Sequence, residues 1–177
     1  MPGGVYLLPM PQAPDLSKVR YEQDYRSGVV YHGGRDFDVF SSEEVGSALG
    51  GDGSYYWFTE SFDNAKFYED GAIHEGRLST GLVAYADAAD FEGMSARMIA
   101  DEIFISRHEA GEEIPNAYVI SGLRDGACKA IVIAVCVPHD ESEASFERTR
   151  KHLWDDKRMG YRKVKTAGNA MAVEELA

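Results

Sequence analysis

Apolar and polar positions along this chain change period several times, and each change marks an element. Val29, Val30 and Tyr31 form a β-branched and aromatic run ended by Gly33 and Gly34, which predicts a strand over 28–32. A Gly/Ser-rich stretch over 36–53 reads as a loop with room for one short helix. Tyr55, Tyr56, Trp57 and Phe58 make a dense aromatic strand, predicted over 54–59. Behind it Thr59 or Ser61 is a suitable N-cap. Phe62 and Ala65 then share one face of a helix predicted over 61–70, with Tyr68 near its edge. Gly81 to Ala86 reads as a strand. Met98, Ile99, Glu102 and Ile105 have helical spacing and Gly111 supplies a stop, predicting a helix over 95–110. Residues 117–123 and 129–137 form a predicted strand pair joined by the turn signal Arg124-Asp125-Gly126. Phe146, Leu153 and Trp154 suggest an amphipathic helix within 141–158, and the stretch beyond Lys165 reads as loose.

Strands interspersed with helices, without internal repeats, predict an α+β domain. A length of 177 residues and 44% hydrophobic content suit one domain with a proper core. Four of the six prolines fall within the first fourteen residues, marking 1–18 as an extended arm. A polar lead-in covers 19–27. The domain proper is predicted over 19–165, C-terminal helix included, with 166–177 as a tail.

Charge narrows the partners. A net charge of −12 argues against direct nucleic-acid affinity, because the mean field repels phosphate. The cations gather late, at Arg148, Arg150, Lys151, Lys157, Arg158, Arg162, Lys163 and Lys165. Acids interrupt them, which reads as a solvated helix face. Cys128 and Cys136 lie eight residues apart on one predicted strand, roughly 26 Å at strand rise, so they cannot pair with each other. They read as buried thiols in a reducing compartment. The five histidines lack metal-binding spacing, so no metal site is expected. No run of about 18 apolar residues predicts a membrane span, and the N-terminus lacks the basic and apolar regions of a secretory signal.

One stretch carries candidate chemistry. Tyr31-His32-Gly33 closes the first strand, and a glycine after a functional side chain lets a ligand approach the backbone. Tyr31-His32-Gly33 matches the Y-H-G motif of the His-Tyr-Glu branch of the ADP-ribosyltransferases. Trp57-Phe58-Thr59-Glu60, followed by Ala65 and Tyr68, resembles that branch's Y-F-T-D and its helix with A-x-x-Y. The spelling YHGGRDFDVFS is similar to ADP-ribosyltransferase-like domains of phage, mobile-element and bacterial toxin proteins.

The resemblance implies a split β-sheet core with peripheral helices and NAD as co-substrate. It implies that His32 contacts an NAD ribose, that the Gly33 backbone holds the nicotinamide carboxamide, and that Tyr68 lines the site. Trp57 takes the usual tyrosine position on the nicotinamide ring, a departure that keeps a stacking surface. Tyr56 is its neighbour on the opposite strand face. The implied activity is mono-ADP-ribosyl transfer to an unidentified acceptor by a phage or bacterial effector acting in a cytoplasm, its own or a target cell's. Hydrolysis of NAD at the same site, or a degenerate binding or inhibitory module, are the alternatives.

The resemblance also expects a glutamate at the start of a late strand, where its charge stabilises an oxocarbenium-like transition state. The best late strand is Cys128 to Val137, and the expected position falls near Lys129. Asp125 just before the strand, Glu102 (if Asp101 to Ile105 opened a strand) and Asp140 just after it are the candidate acids.

Overall fold

Aromatic and β-branched runs are most stable where their faces can be covered, and in this chain a single sheet supplies that cover. The computed structural model describes residues 14–41, 44–45, 55–125, 128–171 and 173; the side chains of 125, 128 and 129 lie outside this description. The strands are β1 (Arg20–Glu22), β2 (Tyr25–Gly34), β3 (Tyr55–Thr59), β4 (Ala72–Thr80), β5 (Val83–Asp87), β6 (Ala117–Asp125), β7 (Cys128–Cys136), β8 (Ala144–Asp155) and β9 (Gly160–Lys165). The helices are α1 (Phe62–Lys66) and α2 (Ala96–Glu109). The architecture is mixed α+β, dominated by a nine-stranded sheet in the order β1-β5-β6-β7-β3-β2-β4-β8-β9.

The sheet is nearly divided in its middle. Strands β2 and β3 share one ladder pair, Tyr31 with Thr59, whereas β3 and β7 pair from Tyr55–Cys136 to Thr59–Val132. On one face, Tyr55, Trp57, Tyr118 and Ile120 pack beneath Ile99, Ala100 and Ile103 of α2. The other face holds a core drawn from both halves, with Val30, Leu78 and Phe146 against Phe58, Val119 and Ile133.

Helix α1 links β3 to β4. Both strands flank β2 and run antiparallel to it, so α1 is the crossover between two parallel strands and lies over β2. The fit is close: a Cβ on Gly33 would stand 2.1 Å from the Ala65 carbonyl oxygen. Ser61 caps α1 by accepting from the Asn64 N–H at 3.3 Å, and Ser95 caps α2 by accepting from Met98 at 3.2 Å.

Several sequence expectations are corrected here. The segment 141–158 is not a helix: β8 pairs with β4 on one side and β9 on the other. Its Ala144, Phe146 and Arg148 are buried at strand period, and the helical spacing of Phe146, Leu153 and Trp154 is coincidental. The tail is not loose throughout, since Ala170 and Met171 enter the core and Phe40 donates its N–H to Ala170 at 2.7 Å. Strand β4 has no clear signature in the sequence because His74, Glu75 and Arg77 interrupt its apolar positions. The polar lead-in contains β1 and the start of β2, and the helix predicted over 61–70 stops at Lys66. The arm's residues 1–13, the loop's residues 42–43 and 46–53, and residue 54 of the predicted aromatic strand lie outside the described residues. Both cysteines do lie on β7, and Cys136 is a free thiol pushed up to about 12 by burial. No helix among the described residues is long and apolar enough to cross a membrane.

Candidate functional site

The division between β2 and β3 is bridged by a side chain. Alternation along β2 turns His32 to the inner face, among Phe40 at 4.8 Å, Phe58 at 5.6 Å, and Phe37 and His74 at 5.9 Å between ring centroids. Its Nδ1 lies 2.6 Å from the Trp57 carbonyl oxygen. A carbonyl only accepts, so Nδ1 carries the proton. Burial pulls this imidazole down to about 4, against the smaller opposing effect of the Trp57 bond, so the ring is neutral at pH 7. Nε2 is then an acceptor, suited to a hydroxyl.

Gly33 and Gly34 follow. The constraint on Gly33 is the α1 backbone, a structural reason for glycine that needs no ligand. A Cβ on Gly34 would stand 3.0 Å from His32 Nε2, so the smallness of Gly34 keeps that nitrogen uncrowded.

The aromatic strand divides its rings between the two faces, as alternation requires. Tyr56 is 1% exposed and packs on Phe40 at 4.9 Å, on the His32 face. Trp57 is 8% exposed beneath α2, on the opposite face. Both rings are core, so Tyr56→Ala and Trp57→Ala should each cost about 3–5 kcal/mol of stability. Thermal unfolding of the two variants checks this, and a parental melting temperature for either would remove that ring from the core. Tyr68, just past α1, is half-exposed at 41%. His32, Gly33 and the Trp57 backbone thus meet at the seam between β2 and β3, while the Trp57 ring points away from the imidazole.

The candidate acids are dispersed. Glu102 lies within α2, so 101–105 opens no strand. Asp140 sits in the turn before β8 and accepts from the Ser142 N–H and Oγ, both at 2.8 Å, which holds its carboxyl below the usual range. Asp125 ends β6 opposite Cys128, and Lys129 pairs with Arg124 across the same hairpin. Among the described residues no hydrogen bond or ring contact ties Glu102 or Asp140 to His32.

Sequence reasoning missed the residues that fasten the loop behind Gly34. Arg148 donates to the carbonyls of Phe37 at 2.9 Å and Asp38 at 2.7 Å, and to His74 Nδ1 at 3.1 Å. His74 Nε2 in turn donates to the Arg35 carbonyl at 2.8 Å. Arginine cannot accept, so this arrangement requires neutral His74, and burial pulls that imidazole to about 3. Lys151 reaches Asp36 at 2.9 Å and Asp38 at 3.1 Å. Phe37 stacks on His74 at 4.1 Å, and Arg35 pairs with Glu44. On the α1 face, Glu75 accepts from His152 Nε2 at 2.9 Å and pairs with Arg150 at 3.1 Å. Burial and the Glu75 charge raise the adjacent Tyr31 hydroxyl above its usual range. A strand-period reading of 144–155 would have turned Arg148 inward with Ala144 and Phe146, whereas Lys151 joins that face only because the strand is irregular between Arg148 and Arg150. Among the described residues no cluster of three His, Cys, Asp or Glu can hold a metal.

Compared with known proteins, the chain matches no protein-family model and no curated protein.

Proposed function

We propose that this chain is an NAD-consuming mono-ADP-ribosyltransferase working at the β2–β3 seam, with an ADP-ribosyltransferase-like split sheet as its core. The observation that carries the reading is the seam itself. The Tyr31-His32-Gly33 strand and the aromatic strand meet there through a single ladder pair, and the late apolar strand β7 lies directly beside β3. His32 Nε2 accepts from a ribose hydroxyl while Nδ1 remains tied to Trp57. The Gly33 backbone holds the carboxamide. We assign the nicotinamide ring to Tyr68, half-exposed just past α1; for Trp57 to stack there, α2 would have to yield, so Trp57 serves through its carbonyl. As the glycosidic bond breaks, its electron pair leaves with nicotinamide and the acceptor nucleophile bonds to the ribose carbon. Asp125 is the leading carboxylate for the cationic transition state, ahead of Glu102 and Asp140. With water as acceptor the same site is a glycohydrolase.

Lys129, where the resemblance expects glutamate, favours a second reading, a non-catalytic binding or inhibitory module. Nicotinamide release from NAD by the purified protein separates it from both enzymatic readings, and labelled NAD with candidate acceptors separates transfer from hydrolysis. His32→Ala should weaken NAD binding by about 1–3 kcal/mol in calorimetry, through lost hydrogen bonds to a polar ligand. Parental affinity in that variant would place the site elsewhere. Asp125→Ala should lower nicotinamide release about a hundredfold; parental activity in Asp125→Ala, Glu102→Ala and Asp140→Ala alike would remove all three from the mechanism.

A further inference from the structure

The late cations acquire a new meaning once 144–165 is a pair of strands. Lys157 and Arg158 lie in the β8–β9 turn and Arg162, Lys163 and Lys165 on β9; all five are exposed and make no ion pair among the described residues. By contrast Arg148 and Lys151 are buried and spent on the loop behind Gly34. Register places Trp154 opposite Tyr161 and His152 opposite Lys163, so Tyr161, Lys163 and Lys165 share the face of Trp154.

That face is aromatic as well as basic. Trp154 is 38% exposed and meets Tyr161 edge-on at 5.3 Å, and Tyr161 meets Phe62 of α1 at 5.5 Å. The Trp154 backbone N–H donates to the Gly71 carbonyl at 3.0 Å, which joins β8 to the segment after α1. In that segment Phe67 is 72% exposed and Tyr68 41%. Three of the nearby acids have local partners: Asp155 accepts from Lys157 N–H at 3.0 Å, Asp156 holds the Trp154 indole at 2.7 Å, and Glu69 accepts from Gly71 N–H at 2.6 Å, while Asp70 faces solvent beside them. Asp156 therefore fixes the indole rather than covering it.

We propose that this surface, formed by Trp154, Tyr161, Phe67, Lys163, Lys165 and the cations of the β8–β9 turn, binds single-stranded nucleic acid. Unpaired bases offer π-faces to exposed aromatics while flanking cations follow the phosphates, a combination tolerant of sequence. An acidic polypeptide supplies the charge but gives the exposed rings nothing to stack on. The acidic remainder of the chain repels phosphate, confining contact to this hairpin and keeping affinity modest and salt-sensitive. The proposal does not depend on whether the β2–β3 seam takes NAD.

Fluorescence anisotropy with labelled dT20 and rU20, in low salt and without NAD, tests it. Binding should weaken steeply with added salt and quench Trp154, the more exposed of the two tryptophans. Phe67→Ala and Trp154→Ala should each weaken binding about tenfold. Lys163→Ala with Lys165→Ala should also weaken it and lessen the salt slope. Phe67 is so exposed that its variant keeps the parental fold, which circular dichroism verifies. Three outcomes overturn the proposal: no binding to either strand, binding indifferent to Phe67 and to both lysines, or equal affinity for poly-glutamate.

Discussion

Gly33→Ala is expected to lose about 3 kcal/mol or more of folding stability, with or without any ligand present. The added Cβ would meet the Ala65 carbonyl oxygen at 2.1 Å and the Glu69 backbone nitrogen at 3.1 Å. Both obstacles are backbone, and Ala65 is fully buried, so neither can swing aside. Gly28 on the same strand is the control: nothing lies within 4 Å of the position a methyl group would take there, and Gly28→Ala should leave stability within about 1 kcal/mol of the parent. Urea unfolding of the two variants compares them directly. Equal midpoints would mean that α1 does not lie over β2. The result also governs how Gly33 is used in ligand experiments, since lost NAD binding in a larger variant reports on the fold before it reports on the site.

Acid should weaken the fold well before the carboxylates titrate. Burial brings His32 to about 4 and His74 to about 3, both below the ordinary 6.5. Below 6.5 the unfolded chain binds protons that the native chain refuses, so the stabilisation is complete above that pH and is lost as pH falls toward 4 and 3. At pH 5 each imidazole accounts for about 2 kcal/mol, and the pair for a substantial part of a typical domain's stability. Protonating His74 would also set a donor against the Arg148 guanidinium at 3.1 Å. Unfolding free energies at pH 7 and pH 5 should therefore differ by several kcal/mol, and His74→Gln should flatten that dependence. Equal stability at the two pH values would show that these imidazoles are not buried as neutral rings. Asp38 and Asp140, held below the usual carboxylate range by Lys151 and Ser142 respectively, act in a lower window.

The legible parts of this fold are those whose cause is local. Ser95 and Gly111 bracket α2 because capping chemistry acts within a turn, and β6 and β7 are marked by the apolar runs Ala117 to Ile120 and Ala130 to Cys136. The aromatic strand is plain for the same reason. Strands β4 and β8 are not, because their polar residues are satisfied by partners far along the chain, and β9 is not, because it is an edge strand whose cations face solvent. Arg148 is buried because the carbonyls of Phe37 and Asp38, 111 and 110 residues away, accept from it. Read alone, the same arginine belongs on a solvated helix, and its neighbours Lys151 and His152 follow it into the wrong element.

The candidate site divides along the same line. By itself the sequence determined that His32 stands near a strand end followed by two glycines, that Tyr56 and Trp57 take opposite faces, and that a late apolar strand exists. Strand period and backbone sterics fix such things without knowledge of the rest of the chain. Only the tertiary structure decided that β2 and β3 meet through one ladder pair, that the His32 proton goes to the Trp57 carbonyl, and that Gly33 is small because α1 crosses it. It alone also set free cations beside Trp154 while burying Arg148 and Lys151. Those outcomes depend on which segments become neighbours, and burial, not local pattern, sets the charge of an imidazole or the availability of a lysine.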